Sequence, residues 1–428
     1  MISGVWNIAL GQTEWKDRSP CLAPNDQLNP AVALPTQTDF TVSVWEDERD
    51  FGDSGSDIYI QRIDNITGVS TWIGDKTGYY YYGNINVVED RFDGIPVCTA
   101  PEDQRNPRAA YDGMGGVVVV WEDYRSGICD VYAQRIDLAT GRPDPAWPVD
   151  GIPVCQTGAR SERPRVVGTS DGVFITWIDY RNDPGTPPRD RDIFLQYIQS
   201  ATASWPPPPT AWVQNGIQVT TNTRPDQINP ELDADNIFAL DLLGNMTQGV
   251  VVTYQDDRFR GLSSGQPVWT VFANRIDANG AQMYTMGMPP WTADVPAAPS
   301  YEHQEYPRIV TTGKQPNVTN QSAVIVWQDM IENPVLGYTD IFAQRLDASG
   351  LALFGGATGL PVCQVPLAQM LPQPVLWESG DPLLGTYVPY VTVGWIDYRN
   401  ATLNGTDIYG GLIMANAPGG MVNPQGGM

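Results

Sequence analysis

One pattern is written six times along this chain: a short hydrophobic run, an aromatic residue, a spacer and an aspartate. The copies read TVSVWEDER (41–49), VVVVWEDYR (117–125), VFITWIDYR (173–181), VVVTYQDDR (250–258), AVIVWQDMI (323–331) and VTVGWIDYR (391–399). A variable loop and a second run follow each: DIYIQRID (57–64), DVYAQRID (130–137), DIFLQYIQ (192–199), TVFANRID (270–277), DIFAQRLD (340–347) and DIYGGLIM (407–414). An X-Pro start precedes each first run, at 29–34, 106–111, 163–168, 229–234, 306–311 and 373–378. GIPVC (94–98), GIPVC (151–155), GIQVT (216–220) and GLPVC (359–363) close several copies. Self-similarity at a fixed period, here about 70 residues, signals a repeat architecture.

Each copy thus carries four short strands. Runs such as Val117–Val120 do not alternate, so those strands are covered on both faces. No helical period is visible. The 42 Gly, 37 Pro, 14 Trp and 19 Tyr residues suit turns and strands. Six antiparallel four-stranded units predict an all-β fold, a six-bladed β-propeller. A row of separate small domains competes with this reading, but each unit alone would bury too little surface.

The blades are expected at about 28–98, 105–155, 162–220, 228–295, 305–363 and 372–414, within a single domain over 1–414. Cys98 and Cys155 each precede the next X-Pro proline by nine residues, and Cys21 stands nine before Pro30. The last copy lacks a fourth strand. Residues 5–21 are therefore expected to supply it and so close the ring, which removes an open sheet edge. The stretch 415–428, ANAPGGMVNPQGGM, reads as a flexible tail or a strand that pairs with a neighbour.

A net charge of −24 repels phosphate backbones and anionic membranes, so no nucleic-acid partner is expected. No run approaches the roughly 18 apolar residues of a membrane span. The N-terminal residues show neither a basic leader nor a long apolar core. Only three of the 25 basic residues are Lys, and Arg suits fixed pairing with carboxylates.

The aromatic residues Trp45, Trp121, Trp177, Tyr254, Trp327 and Trp395 hold one repeated position, which predicts packing between blades; stacking on a glycan is the functional alternative. Asp47, Asp123, Asp179, Asp256, Asp329 and Asp397 follow two residues later and are expected to cap the turn. The arginine after them (Arg49, Arg125, Arg181, Arg258, Arg399) is expected to pair with the aspartate opening the next strand (Asp57, Asp130, Asp192, Asp407). Both sets read as scaffold.

Asp123-Tyr124-Arg125 with Asp130-Val131-Tyr132, and Asp397-Tyr398-Arg399 with Asp407-Ile408-Tyr409, resemble the WD40-like repeat of six-bladed propellers of the TolB type. The likeness covers the second and third strands of each copy and departs in the first, where the family's Trp-Ser-Pro-Asp-Gly signal is missing. It is also similar to repeats of large secreted and cell-surface bacterial proteins. It implies an extracellular, cell-surface or periplasmic location and a binding role, without a substrate.

Cys21, Cys98, Cys155 and Cys363 share the fourth-strand position and read as small buried residues. Cys129 precedes the third strand of the second copy, so a Cys129–Cys155 disulfide is expected. Asp50, Asp53 and Asp57 in DFGDSGSD offer oxygens to calcium, without the spacing of a known loop; an acidic hairpin is the plainer reading. No other metal or cofactor is expected. The single histidine, His303, has no nucleophile motif beside it.

Two functions remain. The first is a non-catalytic module that binds proteins or copies of itself, with glycans as a further partner, and in which no residue is catalytic. The second is a carbohydrate-active propeller enzyme, hydrolase or lyase, working through acidic residues. The first is the expectation carried forward.

Overall fold

The computed structural model describes residues 21, 23, 25–33, 39–52, 54–72, 81–82, 85–86, 93–186, 189–208, 210–220, 226–240, 246–259, 268–281, 294–298, 303–313, 322–330, 339–347, 349–356, 358–379, 388–399, 406–415 and 421–425. Among these the chain is all strand and turn, with no helix.

Six four-stranded antiparallel sheets form in chain order. The first holds β1 (Gln27–Ala33), β2 (Phe40–Asp47), β3 (Asp57–Asp64) and β6 (Ile95–Cys98); β4 (Tyr81–Tyr82) and β5 (Ile85–Asn86) pair separately. The second holds β7 (Gln104–Tyr111), β8 (Gly116–Asp123), β9 (Asp130–Asp137) and β10 (Ile152–Cys155). The third holds β11 (Ser161–Gly168), β12 (Gly172–Asp179), β13 (Asp192–Gln199) and β14 (Ile217–Gln218). The fourth holds β15 (Gln227–Leu240), β16 (Met246–Asp256), β17 (Thr270–Asp277) and β18 (Val295–Pro296). The fifth holds β19 (Gln304–Thr311), β20 (Ser322–Asp329), β21 (Asp340–Asp347) and β22 (Leu360–Cys363). The sixth holds β23 (Gln369–Ser379), β24 (Val388–Asp397), β25 (Asp407–Met414) and β26 (Met421–Gln425). This is the blade set of a six-bladed β-propeller.

Strand β26 corrects two expectations. It pairs with β25 from Met414↔Met421 to Gly410↔Gln425, so the C-terminal stretch supplies the fourth strand of the sixth sheet. The segment 5–21 was expected there; its residues 5–20 lie outside the described residues.

The chain divides into two compact units. The first comprises residues 1–177, 196–206 and 214–216. In it β7 runs beside both β1 and β11. One core joins Val42, Val44, Ile58 and Ile60 of the first sheet to Val117, Val119 and Trp121 of the second. Strand β8 is buried at every residue, which is why its valines do not alternate with polar residues.

The second unit comprises residues 178–195, 207–213 and 217–428. There β19 runs beside both β15 and β23. Trp327 packs with Val251, Val271 and Ala273 of the fourth sheet, and Trp395 with Val324, Val326 and Ile341 of the fifth. Each tryptophan is thus wedged against the preceding sheet.

Every first strand carries the same kink. Asn29, Asn106, Arg163, Asn229, Tyr306 and Leu371 have φ between +49° and +54°, and a proline follows each. The ladder register shifts at this point in β1, β7, β15, β19 and β23. In the sixth sheet the kink is Leu371-Pro372, two residues before the Gln373-Pro374 that the sequence pattern suggested. Positive φ is uncommon without glycine and persists where the surroundings over-determine it.

Candidate functional site

The repeated aspartate is the hub of a local staple. In the second sheet Trp121 donates from Nε1 to Asp123 Oδ2 at 2.8 Å. Arg125 donates to the same carboxylate from its backbone N (3.0 Å), Nε (2.7 Å) and Nη2 (2.6 Å). Its guanidinium lies over the Tyr132 ring, 4.2 Å from the centroid. Asp47 with Arg49 and Tyr59, Asp256 with Arg258 and Phe272, and Asp397 with Arg399 and Tyr409 repeat this arrangement. Arg181 likewise pairs with Asp179 and covers Phe194. Trp45, Trp327 and Trp395 donate to their aspartates as Trp121 does. In the fourth sheet Tyr254 turns instead to Asp294, at 2.7 Å.

The arginine therefore pairs with the aspartate two residues before it, and not with the one opening the next strand. The register explains this. Asp47 faces Asp57 and Asp123 faces Asp130 directly across the ladder. Like charges so placed repel, and the guanidinium neutralises only the first of each pair. The second takes neutral donors: Ser54 to Asp57 (2.9 Å), Ser126 to Asp130 (2.7 Å), and Asn182 (2.7 Å) and Gln218 (2.8 Å) to Asp192.

The repeated cysteines belong to the same staple. Arg49 Nη2 lies 3.2 Å from Cys21 Sγ, Arg125 Nη2 3.1 Å from Cys98 Sγ, and Arg399 Nη2 3.4 Å from Cys363 Sγ. Each sulfur ends the repeat before the arginine that reaches it. Burial pushes the Cys21 thiol up to about 12 and the Cys363 thiol up to about 11, so both stay protonated.

The expected Cys129–Cys155 disulfide is not formed; none of the five cysteines is in a disulfide, and all are buried. The ladder places Cys155 opposite Val131, past the start of β9. Cys129 instead donates to the Ser161 carbonyl (2.9 Å), and Cys155 meets the Ser161 hydroxyl (3.3 Å). Of the calcium candidates, Asp53 lies outside the described residues. Asp50 gives its backbone carbonyl to Ser54, while Asp57 is buried at the start of β3. Among the described residues no group of three or more His, Cys, Asp or Glu could hold a metal.

A second set of contacts joins neighbouring sheets, and the sequence reading missed it. At four of the six kinks the backbone N–H is donated to the side chain of the residue just after the repeated aromatic of the preceding sheet. Asn106 donates to Glu46 Oε1 at 2.5 Å and Arg163 to Glu122 Oε1 at 2.8 Å, both in the first unit. Tyr306 donates to Gln255 and Leu371 to Gln328, each at 3.0 Å, in the second. A clasp stands beside each: Gln104 N to Ser56 O (2.6 Å), Ser161 N to Cys129 O (2.7 Å), Gln304 N to Trp269 O (2.9 Å) and Gln369 N to Thr339 O (2.7 Å). The available signal was Gln-x-x-Pro, present as QLNP, QRNP, QINP, QEYP and QMLP.

Glu46 and Glu122 stand out within this seam. Both are nearly buried, at 3% and 4% exposure. Asn106 joins them: besides its N–H bond to Glu46, its Nδ2 donates to Glu122 Oε2 at 2.8 Å. Asn29 Nδ2 adds a second bond to Glu46 Oε1, at 2.8 Å. Glu122 thus has protein donors on both oxygens, whereas Glu46 Oε2 has none among the described residues. One residue, Asn106, thus bonds both carboxylates, and glycosidic cleavage generally uses a pair of carboxyl groups.

No family model and no curated protein matches the chain. The likeness to TolB-type propellers therefore stays with the motif residues alone. Solved structures do match, at low identity. A polysaccharide lyase is 10% identical, covers 90% of this chain and 77% of its own, and has a TM-score of 0.47. An α-L-arabinanase of Penicillium chrysogenum complexed with arabinobiose is 12% identical, with coverage of 86% and 88% and a TM-score of 0.44. An α-L-arabinofuranosidase of Fusarium graminearum with arabinobiose is 10% identical, with coverage of 91% and 93% and a TM-score of 0.43. These three neighbours are carbohydrate-active enzymes by name, which runs against the non-catalytic protein-binding or assembly module expected from the sequence.

Proposed function

We propose that this chain is a carbohydrate-active propeller enzyme whose carboxylate pair is Glu46 and Glu122. The supporting observation is the contrast between equivalent positions. Gln255 and Gln328 accept the same backbone N–H in the second unit, so that structural bond needs only a neutral acceptor. Glu46 and Glu122 add two charges the bond does not require. Keeping a carboxylate nearly buried is costly, and such a cost points to chemistry.

In this reading Glu46 Oε2 faces the scissile glycosidic oxygen or a hydrogen of the sugar ring. Glu122, with donors on both oxygens, is the fixed companion charge. Hydrolysis would use one carboxyl to protonate the leaving oxygen and the other to activate water or stabilise the cation-like sugar. Elimination would use one as the base. A polymeric substrate does not cross membranes, which fits a secreted or surface-exposed chain; among the described residues no helix is long and apolar enough to cross one.

The test is a reducing-end assay of the purified chain on a panel of polysaccharides, arabinan included. New reducing ends are expected on at least one polymer. An unsaturated product would mark elimination, and its absence hydrolysis. No turnover on any polymer would overturn the proposal.

A further inference from the structure

Resting on the reading above, we propose that Asn106 is a positioning residue that fixes the two carboxylates relative to each other. Its backbone N–H holds Glu46 Oε1 at 2.5 Å and its side-chain Nδ2 holds Glu122 Oε2 at 2.8 Å. It sits at φ +53°, immediately before Pro107, where the chain has little freedom. Asparagine tolerates this conformation better than most residues with a side chain.

Other kink residues do half of this work. Arg163 gives its N–H to Glu122, and Asn29 gives its amide to Glu46. Asn229 bonds the neutral Gln255, at 2.5 Å. Among the described kinks, Asn106 bonds two carboxylates at once.

Among the described residues, several charged and titratable groups lie beside the pair, Arg163 among them. Asp103 and Arg105, beside the kink, pair with each other at 2.5 Å. Glu162 precedes Arg163 and pairs with Arg160. Tyr124 and Cys129 lie within electrostatic reach of Glu122. Neither Asp103 nor Glu162 shares Asn106 as a donor.

The test uses the full chain with glutamate carboxyl carbons labelled, read by NMR at one fixed pH without substrate. Glu46→Gln and Glu122→Gln assign the two signals. Asn106→Gly keeps the positive φ and the N–H to Glu46 but removes the amide from Glu122. Both carboxyl signals should move in this variant, Glu122 because it loses a donor and Glu46 because its partner is no longer held against it. Turnover on a cleaved polymer should fall about 10- to 100-fold in kcat with KM little changed. Asn106→Ser, which keeps the N–H but is too short to reach Glu122, carries the measurement if the glycine variant does not fold. Carboxyl signals unchanged from the parent would overturn the inference. The NMR readout needs no turnover, so a failure of the enzyme reading shows separately, in the polysaccharide panel.

Discussion

Gly151 occupies the space that the Trp121 ring edge leaves free. A Cβ on Gly151 would fall 2.6 Å from Trp121 Cη2 and 2.6 Å from the Ala133 carbonyl, at φ +84°. Gly94 stands in the same relation to Trp45, and Gly359 to Trp327. The glycine of the fourth-strand motif and the tryptophan of the second strand are therefore one device.

Gly151→Ala should destabilise the chain by about 2–4 kcal/mol, through overpacking added to the backbone penalty. Gly127→Ala is the control. It has φ +84° and nothing within 4 Å, so only the backbone penalty of about 1 kcal/mol applies. Urea unfolding of both variants checks the difference.

Arg125→Ala leaves the fully buried Asp123 with its Trp121 bond but without its cation. Stranding a buried carboxylate costs about 3–5 kcal/mol. The loss should persist in high salt, because a buried pair is little screened. Unfolding at low and high ionic strength measures this.

Burial, aided by the charges of Asp190 and Asp179, pushes the Asp192 carboxyl up to about 6. The raised value means the folded chain takes up this proton before the unfolded chain does. The resulting stability is fully present below about pH 4 and is lost as pH rises from about 4 to about 6. Its size is up to about 3 kcal/mol. Asp192→Asn should remove that slope, which urea unfolding across this window will show.

The buried thiols should resist alkylation in the folded chain. Without reductant, a thiol reagent should count five groups in denaturant and close to none before it. A count of three in denaturant would mean that a disulfide had formed after all.

Much of the fold was legible because two signals agreed at six places: a strand-length apolar run and an aromatic-x-Asp ending, with Trp in five copies and Tyr254 in the fourth. The partner of Arg125 was not legible. Asp123 and Asp130 are equally plausible in sequence, and only the ladder register shows that they face each other. The joint at Asn106 was hidden for a related reason. Asn-Pro reads as a strand start, and nothing local reveals that its N–H and amide reach residues 60 and 16 positions away. The pairing of β26 was obscured by a Gly- and Pro-rich composition that suits a tail. Glu46 and Glu122 were legible as residues but not as a pair, since each looks like one more polar spacer after a repeated tryptophan.

The most direct test of the central claim compares Glu46→Gln and Glu122→Gln with the parent chain on a polysaccharide that the parent cleaves. Glutamine already makes the same seam bond at Gln255 and Gln328, so Glu46→Gln, whose two donors share one oxygen, should unfold within a few degrees of the parent; Glu122→Gln keeps the Arg163 bond but loses the one from the Asn106 amide and should unfold somewhat lower while still folding. Their turnover should fall at least about 100-fold. Variants that fold normally and cleave at the parent rate would contradict the account.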